Sequence, residues 1–195
     1  MSDPVLRPEH ALRSESVSRR APRVPSCEWL QPLPPAARFV FHGNSRARAA
    51  AAGCWGVPFA EDACRAITVA ARSTLWLGPE EYLLLGPAAE PEYAAAAAME
   101  EALLDIPHAL VDVSHRQVAI EVAGANAAVI LNAACPLDLD LLVFPVGMCT
   151  RTVLAKADIV LWRTRADAFH LEIWRSFSEY VTGLLSEAAR EFTAG

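Results

Sequence analysis

Apolar residues recur along this chain with two periods. Gln117-Val-Ala-Ile-Glu-Val-Ala123 alternates large apolar side chains with small or polar ones. That two-residue period predicts a strand with Val118, Ile120 and Val122 on a core face and Ala119 and Glu121 facing outward. Phe177, Val181, Leu184, Leu185, Ala188 and Phe192 recur at helical spacing and predict a closing amphipathic helix. Ser176, three residues before Glu179, has the S-x-x-E spacing of a capping box. Thr74-Leu-Trp-Leu-Gly-Pro79 and Tyr82-Leu-Leu-Leu-Gly86 are short apolar runs closed by glycine, the punctuation of paired buried strands. Further strands are expected at 38–43, 66–71, 110–115, 150–155, 159–163 and 169–174. Ala-rich helices are expected at 47–54, ending near Gly53, at 91–104, opened by Pro91, and at 124–135, stopped by Pro136. Strands outnumber helices and hairpin-like joins dominate, so the expected class is α+β with mainly antiparallel sheets.

Composition changes the picture mainly at the start. Residues 1–35 hold Pro4, Pro8, Pro22, Pro25, Pro32, Pro34 and Pro35, half of the 14 prolines in the chain. Proline removes backbone donors, and this stretch carries little apolar mass, so it reads as an extended arm with Trp29 and Leu30 as anchor points. Residues 36–195 read as one globular α+β body. With a formal net charge of −6 the chain would have to concentrate its bases to offer a cationic face to a phosphate backbone, which argues against nucleic acid. The five cysteines are odd in number and show no C-x-x-C pair, as expected of small buried side chains in a reducing compartment. No stretch is apolar enough to span a bilayer and no signal peptide opens the chain, so a cytoplasmic protein is expected.

Candidate chemistry is sparse. No two of the nine glycines flank a single residue, and the only lysine, Lys156, follows Ala155. Neither a dinucleotide fingerprint nor a phosphate loop can be written from them. His10, His42, His108, His115 and His170 have no metal-ligand spacing. Ser114 and His115 are adjacent in an expected strand, so they would point to opposite faces and could not exchange a proton. The carboxylate pairs Glu80-Glu81, Glu100-Glu101 and Asp138/Asp140 read as a turn, a solvated helix face and a cap. Polar and aromatic residues instead gather where elements meet, at 112–117, at 150–152 and at 174–177. Trp and Arg are favoured as contact anchors, because one buries a large area and the other forks onto carboxylates or carbonyls.

Those junctions also carry a resemblance. Asp112-Val-Ser-His-Arg-Gln117, Cys135-Pro-Leu-Asp-Leu139 and Phe144-Pro-Val-Gly-Met-Cys-Thr-Arg-Thr152, in that order, resemble the gamma subunit of heterotetrameric sarcosine oxidase. Thr74–Leu85 and Trp174-Arg-Ser-Phe-Ser-Glu-Tyr180 extend the match, which runs from about residue 70 to 182. The resemblance implies a two-lobed body similar to the folate-binding region of the glycine-cleavage aminomethyltransferase. It implies alpha, beta and delta partner subunits and oxidative demethylation of sarcosine to glycine and hydrogen peroxide, with the one-carbon unit passed to tetrahydrofolate. FAD, FMN, NAD, zinc and tetrahydrofolate are then expected on those partners, with no catalytic, cofactor or metal residue in this chain. Ser114, His115, Arg116, Arg151, Trp174, Arg175 and Phe177 are the expected contact or organising residues. Two alternatives remain at this point: a free-standing folate-binding protein of the aminomethyltransferase type, and a gamma-like subunit of an oxidase for another N-methyl amine.

Overall fold

Residues 28–193 are described in the computed structural model. Its chain order is β1 Leu30–Pro32, β2 Ala36–Gly43, α1 Ser45–Trp55, β3 Ala66–Val69, β4 Arg72–Gly78, β5 Glu81–Pro87, α2 Glu90–Ala102, β6 His108–Asp112, β7 Gln117–Ala123, α3 Ala127–Asn132, β8 Cys149–Leu154, β9 Ala157–Arg165, β10 Ala168–Trp174, α4 Ser178–Ala188 and α5 Arg190–Thr193. The strands make two five-stranded antiparallel sheets, one ordered β1-β7-β10-β9-β8 and the other β3-β4-β5-β2-β6.

Strand alternation here buries both faces. In β5, Tyr82 and Leu84 join a core with Phe39, Phe41, Trp55 and Met99, whereas Leu83 and Leu85 join Leu75, Leu77, Val160 and Cys149. The first set packs under α1 and α2 and the second lies between the sheets. The other sheet sends Ile120, Val122, Leu161, Phe169 and Leu171 to a third core with Ile130, Leu131, Val181 and Leu185 of α3 and α4. The result is four layers, helices–sheet–sheet–helices, with a core between each pair. Burying one such Leu or Phe contributes about 1.5–3 kcal/mol. The two-lobed α+β expectation holds, each lobe being a sheet with its own helices.

The described part of the expected arm lies on the body. Leu30 is fully buried opposite Val122, and Trp29 packs on the same core. The remaining 27 residues of the expected arm lie outside the described residues.

Five local expectations need correction. Val118–Val122 alternate as expected, but Ala119 is buried, and Glu121 is partly so beside the Arg165 guanidinium of the same sheet. The strand expected at 110–115 ends at Asp112. The Asp112 Oδ1 accepts the Ser114 N–H at 2.8 Å and folds residues 114–116 into a turn. The helix expected over 124–135 is only Ala127–Asn132, and Asn132 Nδ2 donates to Leu137 O, drawing the chain back. The Ser176–Glu179 capping box does not form. Ser176 sits in a single 3-10 turn, Arg175–Phe177, and α4 starts at Ser178 with no side-chain cap. Helix α1 likewise runs past Gly53 to Trp55 and ends on Gly56, whose φ of 77° is a left-handed stop.

Candidate functional site

Two strands meet face to face at one end of the inter-sheet layer, and both carry charge there. Arg38 of β2 is 2% exposed and donates from Nε to Glu172 Oε2 of β10 at 2.5 Å. Glu172 Oε1 accepts from His170 Nε2 at 2.8 Å, and Arg38 Nη1 reaches Ala36 O at 3.0 Å. Every one of these bonds offsets the desolvation of a buried ion pair, which by itself costs several kcal/mol per ion. Ser114 Oγ accepts the Arg38 backbone N–H at 2.9 Å, tying the β6–β7 turn to the same strand.

Above this pair opens a cleft of about 230 Å³ between the sheets, with Val40, Leu77, Leu83 and Val160 as its apolar walls. Arg116 and Trp174 stand at its rim. The Arg116 guanidinium lies 5.1 Å from the Trp174 ring, a cation–π contact between two exposed side chains. Their backbones are locked by register: Trp174 pairs with Gln117, and the Arg175 N–H donates to Arg116 O at 2.9 Å. Arg175 Nε adds a bond to His115 O at 3.1 Å. On the cleft's other flank Arg151 of β8 forks onto Glu81 of β5, at 2.7 and 2.5 Å. That hydrogen-bonded pairing holds the Glu81 carboxyl below its usual pKa, against the opposing pull of partial burial.

The Ser114 hydroxyl is engaged with the Arg38 backbone, and His115 is exposed within the β6–β7 turn. Among the described residues no group of three or more His, Cys, Asp or Glu is placed to hold a metal ion. None of the described helices is long and apolar enough to cross a membrane.

A family model for the sarcosine oxidase, gamma subunit family matches residues 46–191. The chain belongs to that family. Gamma-subunit relatives from Corynebacterium sp. strain P-1 and strain U-96 are 32% and 35% identical to it, over 65% of this chain. The chain's match spans about three fifths of the length of those curated relatives, 61% and 60%. The heterotetrameric sarcosine oxidase from Corynebacterium sp. U-96, solved with pyrrole 2-carboxylate, contains a similar chain with 28% identity and a TM-score of 0.79 over 85% of each chain. The aminomethyltransferase T of the glycine cleavage system from Bartonella henselae shares the fold, with a TM-score of 0.61 at 13% identity over 44% of its length. Of the alternatives open to the sequence, the relatives favour a gamma subunit over a free-standing aminomethyltransferase-like protein.

Within this gamma-subunit fold, three of the seven residues singled out by sequence, Arg116, Arg151 and Trp174, line one cleft, and Ser114, His115 and Arg175 lie on the adjoining turn and junction. Ser114, His115 and Arg116 form the β6–β7 turn, Trp174 and Arg175 the β10–α4 junction beside it, and Arg151 the opposite flank. Phe177 is set apart: its ring meets Tyr180 edge-on at 6.4 Å and packs on the outer core under α4. Sequence reasoning missed Arg38 and Glu172, and it read Glu81 only as part of a turn. A signal for these two was present, since Arg38 and Glu172 each place a charge within a mainly apolar strand. A charge in that setting marks a face covered by something polar.

Proposed function

We propose that this chain is a non-catalytic assembly subunit of a heterotetrameric sarcosine oxidase. In this proposal the complex demethylates sarcosine oxidatively to glycine and hydrogen peroxide and passes the one-carbon unit to tetrahydrofolate. Alpha, beta and delta companions carry FAD, FMN, NAD, zinc and the folate. The gamma chain contributes shape and contact area, and stabilises its neighbours by mass action because association favours folded over unfolded chains. The similarity to a chain of a heterotetrameric sarcosine oxidase over 85% of both lengths carries this reading. Ser114, His115, Arg116, Arg151, Trp174, Arg175 and Phe177 are proposed to contact or organise the interface. An Arg stacked on a half-exposed Trp at the rim of a cleft is a suitable anchor: rigid, large, and able to fork onto a partner's carbonyl or carboxylate.

The test is co-production of the four chains, affinity capture on this one, and absorption spectroscopy of what elutes. Flavin bands are expected in the captured complex and not in the isolated chain. Stoichiometric flavin on the lone chain, or sarcosine turnover by it, would overturn the reading.

A further inference from the structure

Three groups that line the inter-sheet cleft have no partner within the chain. Gln117 is only 7% exposed, yet nothing donates to its Oε1. An acceptor stripped of water and left unpaired is destabilising, so a group of this kind marks a place where a donor arrives from outside. Among the described residues, no carboxylate pairs with the Arg116 guanidinium and no cation pairs with the Asp158 carboxylate. The other charges of the cleft are already matched, Arg151 with Glu81 and Glu172 with Arg38.

Strand register gathers the polar groups on one wall. Gln117 pairs with Trp174, Glu172 with Val160, and Ile173 with Ile159, which sets Asp158 opposite Trp174. Gln117, Trp174, Glu172 and Asp158 therefore share the inner face of their sheet. The facing wall comes from the other sheet and is hydrocarbon: Val40, Leu77 and Leu83. A molecule in the cleft thus meets an amide and both signs of charge on one side and aliphatic side chains on the other. The volume, about 230 Å³, is below the roughly 300–1,000 Å³ of sites for drug-sized ligands.

We propose that this cleft binds a small aliphatic α-amino acid as its zwitterion. The Arg116 guanidinium, braced on the Trp174 ring, takes the ligand carboxylate. The ligand ammonium donates to Gln117 Oε1 and is balanced by Asp158. The aliphatic side chain lies against Leu77 and Leu83. A phosphate ester would be repelled by Asp158, and a plain amine would leave Arg116 unmatched. The proposal goes beyond the assembly reading and does not depend on it.

The test is titration of the full-length chain with L-valine, followed by the backbone and side-chain amide resonances of the 15N-labelled protein. Saturable shifts centred on residues 116–117, 158–160 and 172–174 are expected, with a dissociation constant of about 1 mM or below. Two analogues dissect the zwitterion: 3-methylbutanoate lacks the amino group, and isobutylamine lacks the carboxylate. Each is expected to bind at least about 10-fold more weakly than L-valine, having lost one charge-assisted contact. Gln117→Leu should weaken L-valine binding by at least about 10-fold while the free chain melts no lower than wild type, because the orphaned acceptor leaves with the amide. Should Gln117→Leu not fold, Arg116→Gln replaces it; that side chain is exposed, and a loss of at least about 10-fold is again expected. Absence of saturation by about 20 mM L-valine, or shifts confined to other parts of the surface, would overturn the site. Binding of either analogue as tight as that of L-valine would overturn the zwitterion. Undiminished affinity in the folded variant would remove Gln117, or Arg116, from the site and overturn the arrangement proposed. None of these outcomes bears on capture of companion chains, so the site and the assembly reading fail separately.

Discussion

Each sheet buries two faces, and the two are built from different materials. The outer faces, under the helices, are apolar almost throughout, with Phe39, Phe41 and Leu84 on one side and Ile120, Leu161 and Phe169 on the other. The inner faces carry Leu75, Leu83 and Val160 at their centre. They also carry Arg38, Glu172, His170, Arg151 and Glu81, each bonded to a partner. An apolar layer tolerates sliding, because hydrophobic burial has no direction. A buried Arg–Glu pair does not, since displacing one partner leaves an uncompensated charge. The outer layers therefore supply most of the stability, and the inner layer sets how one sheet sits on the other and where the cleft opens.

Mutation can break that contrast. Phe169→Ala should cost about 3–5 kcal/mol, the usual range for emptying a Phe site in a core, and it also removes the ring on which Arg163 lies. Glu172→Ala should cost a similar 3–5 kcal/mol, but for a different reason: Arg38 is left buried and unpaired. The double variant Arg38→Met with Glu172→Leu should recover most of that loss, because no charge remains to strand. Denaturant unfolding of the four proteins measures all three values. A double variant as unstable as Glu172→Ala would show that the inner layer depends on shape and not on charge pairing.

Cys149 in the inner layer is fully buried. Burial pushes the Cys149 thiol up to about 12, against a smaller opposing effect of its hydrogen bond to Trp76 O. Iodoacetamide at pH 8 should leave Cys149 unmodified in the native chain and modify it after denaturation, as read by peptide mass spectrometry. Rapid native labelling would mean that the two sheets part on that timescale.

Smaller effects are expected at the rim. Arg151→Ala removes a half-exposed fork and should cost at most about 1 kcal/mol. Glu81 has its pKa lowered in the folded state, so its contribution is present above the unfolded value of 4.5 and is lost as pH falls through the folded pKa. The wild-type chain should accordingly lose slightly more stability than Arg151→Ala between pH 5 and pH 3. His108 works in the opposite direction: its pKa is raised, chiefly by the Ile106 carbonyl and also by Glu100. Its contribution is complete below 6.5 and disappears as pH rises through the folded pKa. Glu100→Gln should reduce that dependence, the smallest change of the set, as thermal melts across pH 5.5 to 8 would show.

Much of this was legible in the residues. The period-two pattern of 117–123, the glycine-closed runs at 74–86 and the stripe from Val181 to Leu185 each specify an element through side chains a few positions apart. The gathering of polar residues at 112–117 and 174–177 was visible for the same local reason. Failures came where a distant contact overrode local pattern. The Ser176–Glu179 spacing is a sound capping signal, yet Arg175 is held by His115 O and Arg116 O, 60 and 59 positions earlier, and the junction tightens into a 3-10 turn. Glu121 looked solvent-facing because nothing in 117–123 reveals the Arg165 guanidinium that meets it from 44 positions further on.

By itself, then, the order of residues determined the elements, the α+β class and the family, since each is written in spacings of two to four positions or in short motifs kept in register. Only the tertiary structure decided that two sheets stack, that Arg38 finds Glu172 at a separation of 134 residues, and that Arg116, Arg151 and Trp174 share one cleft. The physical reason is that strand alternation assigns a side chain to one of two faces but does not say what covers either. What covers a face is chosen by the packing of the whole chain.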